Sequence, residues 1–357
     1  MVTLNDLFDM KDLEVMEKEG FVKIQRHPDF PHDLAIANYT HLTQARQEWN
    51  SVTEQTRGLI FNPKTSEVIA RPFRKFYNYS EKNADLITGQ ETVVAYDKLD
   101  GSLGIAYPLP NLEWGIATRG SFTSEQAVWA TQFMRRNWTS FPFIPDETDL
   151  FEIIYPDNRI VVQYDGLEAL MYLGTIENET GRFTQSAFYD DLPRAEAIYV
   201  GPFEGVFTLK DRDNAEGVVV VTSDGRRVKV KQEEYIRLHR IVSNLSPKYV
   251  WEAMGGPYMW RVDEIVRDIP EEHEVWVREV ANDLVWQYTM WHTKVSEVYH
   301  RVSKLGTRKE IAMKIKGEEK IIQGCIFLGL DNRPYVDLLW KHIKPKVEDN
   351  KVKEEDV

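Results

Sequence analysis

The stretch Tyr96-Asp97-Lys98-Leu99-Asp100-Gly101-Ser102-Leu103 places one lysine between two short apolar runs. The runs 93–96 and 103–107 predict a strand on each side of it. Because glycine accepts a positive φ without strain, the Asp-Gly pair predicts a hairpin turn. Lys98 is therefore expected where a strand ends and the chain turns. At such a position the strand fixes the backbone, and the side-chain amine stays accessible. A solvated hairpin lysine would look the same, so the meaning of this stretch depends on the rest of the chain.

Length and composition indicate a protein with full hydrophobic cores. The 357 residues predict two domains, and 42% apolar residues with ten Trp and sixteen Tyr argue against disorder. A single cysteine, Cys325, excludes a disulfide framework and a cysteine zinc cluster, and it indicates a reducing compartment. Residues 1–10 lack the pattern of a signal peptide, and no run approaches the ~20 apolar residues of a membrane span. We expect a soluble, cytoplasmic protein without a membrane partner.

The formal net charge of −13 argues against non-specific binding of nucleic acid by the whole surface. Charge acts locally, however, and basic residues cluster at 71–75, 135–136 and 226–231. The pair at 135–136 is typical of a solvated helix face. Part of the acidity lies in the final residues, 347–357, which predict a disordered tail. The composition therefore does not decide whether this acidic protein has a basic face.

The first two thirds of the chain predict an α+β domain. Residues 4–18 have the apolar spacing of one amphipathic helix or two short ones, and 124–136 has a helical pattern. Apolar runs between turn signals predict further strands at 21–25, 34–39, 58–61, 68–71, 114–118, 150–154, 159–163, 170–175, 217–222 and 227–230. The aromatic stretch 73–79 is expected to continue the strand that begins at Val68. Antiparallel sheet thus dominates, without the strand–helix alternation of a doubly wound fold.

Beyond Asn244 the pattern is almost entirely helical. Ser246-Pro247 predicts a helix start, with proline at the first helical position. Apolar residues from Val277 to Val302 repeat at spacings of four and three, which predicts a long helix packed inside a bundle. Thr307 and Glu310 have the spacing of a capping box. A second, all-α domain is therefore expected.

Candidate chemical groups lie at strand ends and hairpin edges. The chain has no G-x-x-x-x-G-K-[ST] loop and no G-x-G-x-x-G after a strand, so Lys and Arg side chains would have to hold any nucleotide phosphates. Lys229 and Lys231 share one face of a strand, which is the solvent face or a binding face. Glu152, inside an apolar run, either faces solvent or is buried with a partner. The residues of interest are Arg57, Lys75, Lys98, Arg119, Glu152, Glu216, Lys229 and Lys231.

The order of these features resembles the covalent nucleotidyltransferase superfamily of nucleic-acid ligases and capping enzymes. Within it, the segments 56–61, 71–78, 98–103, 151–152, 158–161 and 177–181 are similar to the RNA ligase 1 family of T-even bacteriophages. The similarity spans about residues 50 to 240 and continues into a helical C-terminal region of the right size. Jointly these motifs are far more specific than Lys-x-Asp-Gly alone.

The resemblance implies the fold and its domains. Residues 1–243 would form an α+β adenylyltransferase (nucleotidyltransferase) domain, built mainly of antiparallel sheet and similar to ATP-grasp ligases. Residues 244–346 would form an all-α C-terminal domain that confers specificity for RNA or tRNA, followed by the tail 347–357.

It also implies an ATP-dependent RNA ligase that joins a 3′-hydroxyl to a 5′-phosphate through a lysyl-AMP and an adenylated RNA. The implied task is the repair of cleaved tRNA anticodon loops during phage infection. A 3′-phosphatase/5′-kinase would heal the ends in the same pathway. The protein would be a monomer in the host cytoplasm, with ATP and Mg²⁺ as cofactors. Alternatives are a DNA ligase, an mRNA-capping guanylyltransferase or a non-catalytic RNA-binding relative.

Site residues carry over position by position. Lys98 would be the nucleophile, and Asp100 and Glu216 would orient Mg²⁺ and its waters. The implied catalytic residues are Lys98, Asp100, Glu152, Lys229 and Lys231. The implied ATP-binding residues are Arg57, Lys75, Tyr77, Lys98, Gly101, Arg119, Glu152, Gly217, Lys229 and Lys231. Neighbouring cations are expected to lower the pKa of Lys98, and Tyr172 is a candidate for stacking on adenine.

Overall fold

The computed structural model describes residues 2–138, 144–185, 191–266 and 274–345. The chain divides into two compact units, with the division between Ile236 and Arg237. Antiparallel strands dominate the first unit, and the described residues of the second form helices only. The predicted fold class, an α+β domain followed by an all-α one, is confirmed. Within the described ranges, we find no helix with the length and apolar character of a membrane span.

The first unit begins with a four-stranded antiparallel sheet in the order β1-β2-β3-β4. Its strands are β1 (Val22–Arg26), β2 (Ala35–Tyr39), β3 (Arg57–Phe61) and β4 (Val68–Ala70). Four short helices accompany it, α1 (Leu4–Leu7), α2 (Met10–Lys18), α3 (His41–Arg46) and α4 (Ser51–Gln55). The N-terminal amphipathic segment is two helices because Asp9 interrupts the pattern and caps α2 by accepting from the Lys11 N–H.

Two five-stranded sheets make up the rest of the first unit. One has the order β11-β10-β9-β7-β8 and the other the order β12-β6-β13-β14-β5. The second sheet of the unit consists of β7 (Ser102–Pro108), β8 (Trp114–Ala117), β9 (Glu147–Ile154), β10 (Ala169–Glu177) and β11 (Phe183–Thr184), with α5 (Glu125–Asn137) beside it. The third sheet consists of β5 (Tyr77–Asn78), β6 (Thr92–Asp97), β12 (Ala197–Pro202), β13 (Gly217–Thr222) and β14 (Arg227–Lys231). The predicted hairpin of β13 and β14 is confirmed.

The predicted hairpin around Lys98 is wrong. The two strands exist, but β6 pairs with β12 and β13, whereas β7 pairs with β8 and β9. The Asp-Gly pair therefore carries the chain from one sheet to the other. It does so because the Asp100 side chain is buried and bonded to residues far along the chain instead of closing a local turn.

Two other strand predictions are also wrong. Residues 159–163 form no strand, because the N–H groups of Val161 and Val162 both donate to the Asp100 carboxylate. The aromatic stretch does not continue β4, because residues 71–76 leave the first sheet and β5 joins the third, parallel to β14. Strands β11 and β12 had no clear signal in the sequence and were not predicted.

The helices of the second unit follow the predicted pattern. They are α7 (Pro247–Met254), α8 (Trp260–Val266), α9 (Glu274–Val302), α10 (Arg308–Lys314), α11 (Lys320–Leu330) and α12 (Val336–His342), preceded by α6 (Glu233–Asn244) across the division. Ser246 caps α7, and Thr307 forms a capping box with Glu310. On α9, Val277, Ala281, Leu284, Val295, Val298 and Val302 are buried. The predicted tail, 347–357, lies outside the described residues.

Candidate active site

Lys98 directly follows the last residue of β6, an interior strand of the third sheet. Its backbone N–H donates to the Gly217 carbonyl at 3.0 Å, which extends the ladder between β6 and β13. Its Nζ donates to Glu216 Oε2 at 2.7 Å. Lys231, the last residue of β14, reaches the other oxygen of Glu216 at 2.8 Å. Because β13 lies between β6 and β14, the residue preceding it meets both lysines, and Glu216 is only 2% exposed.

Negatively charged side chains surround Lys98, whereas the sequence predicted positively charged ones. Burial lowers the pKa of Lys98, but Glu216 and Glu152 raise it more, so that the pKa lies above its ordinary value. The expectation that neighbouring cations lower it is wrong in this structure, because carboxylates surround the ammonium group. Lys98 is therefore protonated at neutral pH.

Lys229 has the depressed pKa that was expected of Lys98. Burial and the charges of Lys75 and Lys98 hold the pKa of Lys229 well below its usual range. Its ammonium lies 5.4 Å from the centre of the Phe76 ring. Like Lys231, it projects from the face of β14 opposite to the fully buried Val228, as the alternation predicted. Both lysines are partly buried, so this face of β14 is not a fully solvated one.

Glu152 on β9 brings the second sheet to the same site. Its Oε1 accepts the Gly101 N–H at 2.9 Å. Burial raises the pKa of Glu152 to about 7, against the opposing effect of Lys98. Gly101 is required for this approach, since a Cβ there would lie 2.5 Å from the Ile153 carbonyl oxygen.

Asp100 anchors the chain immediately after the lysine. Its Oδ2 accepts the N–H groups of Val161 and Val162, each at 2.8 Å, and its Oδ1 accepts the Tyr235 hydroxyl at 2.6 Å. Its own N–H donates to the Tyr164 hydroxyl oxygen at 2.7 Å. The carboxylate is 3% exposed and already has three donors. This geometry favours an anchoring role, and the predicted contact with a metal stays a prediction.

A second group of cations surrounds the hydroxyl of Tyr39. Arg119 Nη1 donates to that hydroxyl at 3.1 Å. Burial raises the pKa of Tyr39, but the charges of Arg119, Arg57 and Lys75 lower it more, and the net shift is downward. The buried Nη1 of Arg57 has no hydrogen-bond partner among the described residues. Three cations and one unfilled donor make a binding place for an anion.

Tyr77 and Gly217 hold neighbouring parts of the site in position. Tyr77 is 3% exposed and donates to Glu54 Oε1 at 2.7 Å. Lys75 Nζ lies over the Tyr77 ring at 5.0 Å and over Trp49 at 4.9 Å, so these rings position the lysine. Gly217 has a φ of +142° and packs against the Val230 carbonyl, which a side chain would strike. Neither residue needs to touch a ligand to matter.

Several site residues were not predicted from the sequence, and one was predicted wrongly. Tyr39, Trp49, Tyr164 and Tyr235 hold charged groups of the site, yet in the sequence they look like ordinary core aromatics. Tyr172 cannot stack on adenine, because it is 1% exposed and its hydroxyl is bonded to Thr175. Only the pairing of the strands in space shows which of these aromatic residues lie at the site and which lie in the core.

Several known proteins are similar to this chain. Residues 55–213 match the family model described as RNA ligase. A "Putative bifunctional polynucleotide kinase/RNA ligase" of Autographa californica nuclear polyhedrosis virus is 30% identical over 251 residues, covering 61% of this chain and 35% of the viral protein. The chain thus spans about a third of that relative's length. A "Putative RNA ligase" of Thermovibrio ammonificans is 24% identical over 335 residues, covering 87% of this chain and 85% of that protein.

Solved structures with a similar chain course include an archaeal ATP-dependent RNA ligase, with a TM-score of 0.46, 15% identity and coverage of 82% of this chain and 80% of that one. A mutant Naegleria gruberi RNA ligase with ATP and Mn has a TM-score of 0.35, 15% identity and coverage of 42% and 52%. The family model matches the segment that carries Arg57, Lys98 and Glu152. Over residues 55–213, the chain therefore resembles the RNA ligase family, which is the resemblance that its motifs predicted.

Proposed function

We propose that this protein is an ATP-dependent RNA ligase that joins a 3′-hydroxyl to a 5′-phosphate through a lysyl-AMP on Lys98 and an adenylated RNA. The observation that carries the proposal is the position of Lys98 at a strand end, with Glu216, Lys231 and Lys229 beside it. The family match over 55–213 supports the same activity.

In the first step, the neutral Nζ of Lys98 attacks the α-phosphorus of ATP. An N–P bond forms, the bridging P–O bond breaks, and pyrophosphate leaves. Lys98 must first lose a proton, and Glu216, which already accepts a hydrogen bond from Nζ, lies in the path of that proton. Lys229 and Lys231 stabilise the charge that develops on the α-phosphate oxygens.

The remaining cations would hold the leaving group. Arg57, Lys75 and Arg119, gathered around Tyr39, suit the β- and γ-phosphates because they offer charged donors without a glycine-rich loop. The unfilled Nη1 of Arg57 is one such donor. Glu152 would accept from the ribose hydroxyl.

A divalent metal such as Mg²⁺ fits the site if the nucleotide supplies most of its ligands. Among the described residues, no group of three or more His, Cys, Asp or Glu side chains is placed to hold a metal alone. Mg²⁺ commonly binds through one or two carboxylates together with phosphate oxygens. Glu216 and Glu152 are the carboxylates available for it, and Asp100 lies just behind them. The ion would offset phosphate charge and compete with Lys98 for Glu216.

We further propose nicked tRNA as the substrate, selected by the helical C-terminal region, in a pathway of phage infection. The ends would come from a separate 3′-phosphatase/5′-kinase. The name of the viral relative, which joins a kinase to a ligase, supports such a link. We propose that the protein works as a monomer in the host cytoplasm.

The direct test of function is sealing of RNA against DNA. Strands with a 3′-hydroxyl and a 5′-phosphate, either RNA or DNA, are incubated with ATP and Mg²⁺, and joined product is measured by gel electrophoresis. Sealing of RNA ends with formation of AMP is expected. Preferential sealing of DNA would support the DNA ligase alternative. Labelling of the protein by GTP alone would support the capping alternative.

A further inference from the structure

Arg227 lies on the same face of β14 as the two catalytic lysines. It precedes Lys229 by two residues and Lys231 by four, and side chains two apart in a strand project to the same side. Val228, between them, is fully buried on the opposite side. Lys231, Lys229 and Arg227 therefore form a row of cations on this face. Lys231, at one end of the row, contacts Glu216 beside Lys98, and Arg227 lies at the other end.

The guanidinium of Arg227 is clamped between two aromatic rings. Its central carbon lies 4.3 Å from the centre of Phe73 and 4.2 Å from the centre of Phe183. The Arg227 N–H donates to Asp85 Oδ2 at 2.9 Å, which fixes the backbone. Burial lowers the pKa of Arg227 to about 10, against the opposing effects of Tyr96 and Asp85, so the group stays charged at neutral pH.

One donor of this charged group is unused. Nη2 of Arg227 is buried and has no hydrogen-bond partner among the described residues. A buried charged donor without an acceptor is destabilising, because it has given up its hydrogen bonds to water without a replacement. The cation–π contacts with Phe73 and Phe183 stabilise the guanidinium, but an aromatic ring face supplies no acceptor for Nη2, so this donor is unexplained by the fold.

The neighbouring strands offer a surface for a flat ligand beside this donor. Val219 on β13 is paired with Lys229 on one side and with Tyr96 on the other. Directly paired residues share one face of a sheet, so Val219 and Tyr96 lie on the face of the lysines. Both are half-buried, and Tyr96 is two residues from Lys98. A nucleotide whose α-phosphate lies at Lys98 and Lys229 would place its base over this surface.

We propose that Arg227 is a base-recognition residue, whose Nη2 donates a hydrogen bond to an acceptor nitrogen of the purine ring of ATP. This inference rests on the proposed function and deepens it, since it assigns the base end of the same nucleotide site. Phe73 and Phe183 hold the guanidinium in place, and the ligand supplies the acceptor that the protein lacks.

Base analogues test this role. Equilibrium binding of ATP, 1-deaza-ATP and 7-deaza-ATP is measured by calorimetry without metal, for the wild type, Arg227→Met and Arg227→Lys. Each analogue lacks one ring acceptor. A hydrogen bond to a charged donor corresponds to roughly a tenfold change in Kd or more. We expect the wild type to bind one analogue about tenfold more weakly than ATP, and Arg227→Met to bind all three equally and weakly.

Arg226→Met is the matched control. Arg226 precedes β14, and its side chain is paired with Asp224 and Glu91, so its loss should leave ATP binding unchanged. Arg227→Lys keeps the charge but not the flat group between the rings, and weaker binding is expected. If Arg227→Met is misfolded by circular dichroism, Arg227→Lys must still lose the discrimination between analogues.

Failure of the proposed role of Arg227 and failure of the proposed function give different results. An Arg227 variant that binds ATP and discriminates the analogues as the wild type does would overturn this inference alone. Wild-type protein that binds neither ATP nor GTP would contradict the proposed function as well.

Discussion

At the residue scale, the site brings carboxylates and cations together in a largely buried place, where each shifts the pKa of the other. Glu152 is the clearest case, because burial raises its pKa to about 7 from the ordinary 4.5. The folded protein therefore binds a proton at Glu152 more tightly than the unfolded chain does. The resulting stabilisation is complete below pH 4.5 and is lost as the pH rises through about 7.

We predict that Glu152→Gln stabilises the protein at alkaline pH while abolishing adenylylation. Glutamine carries no charge to bury, so the free energy of unfolding of the variant relative to the wild type should rise between pH 5 and 8. The rise should be at most about 3 kcal/mol, the equivalent of the shift in pKa. Urea unfolding at the two pH values measures it, with Glu147→Gln on the same strand as the control. An equal difference from the wild type at both pH values would refute the prediction.

At the element scale, one side chain joins two distant segments. Asp100 follows Lys98 by two residues and accepts the N–H groups of Val161 and Val162, which a strand would otherwise use for its ladder. The sequence located β6 and β7 but implied that they pair, because Asp-Gly is a local turn signal. These strands instead pair with segments far along the chain, such as Val94 with Val221 and Leu103 with Glu152, which no local pattern contains.

We predict that Asp100→Asn loosens the segment around Val161. An amide has one acceptor oxygen, so at least one of the three donors loses its partner, at about 2 kcal/mol. Hydrogen exchange at the Val161 and Val162 amides should become faster, and adenylylation should fall. Asp157→Asn, an exposed residue of the adjacent 3-10 turn, is the control. Unchanged protection of both amides in Asp100→Asn would show that the carboxylate does not anchor them.

At the scale of the whole molecule, every residue of the candidate site lies in the first unit. The order of Lys98, Glu152, Glu216 and Lys231 was predictable, since Lys98, Glu216 and Lys231 stand at strand ends and Glu152 lies inside an apolar run. The ion pairs and the aromatic support by Tyr39, Trp49 and Tyr235 were not, because they arise only when the sheets come together. The helices of the second unit were predictable from their caps and apolar stripe, but not what they bind.

We predict that removal of residues 245–357 affects sealing of tRNA more than self-adenylylation. The lysine, its carboxylate partner and the cations of the site all precede this segment, so lysyl-AMP should still form. Label incorporation from ATP and sealing of a nicked tRNA are compared, with a generic oligonucleotide as the control. Equal losses in sealing of the two RNAs would show that the segment does not select tRNA.

The most direct test of the central claim is the position of the covalent nucleotide. Protein incubated with Mg²⁺ and ATP labelled at the α-phosphate is digested, and the modified peptide is identified by mass spectrometry. We predict an acid-labile AMP on Lys98, lost in Lys98→Ala and retained in Lys64→Ala, an exposed lysine paired with Asp33. AMP on another residue, or full labelling of Lys98→Ala, would contradict the assignment of Lys98 as the nucleophile.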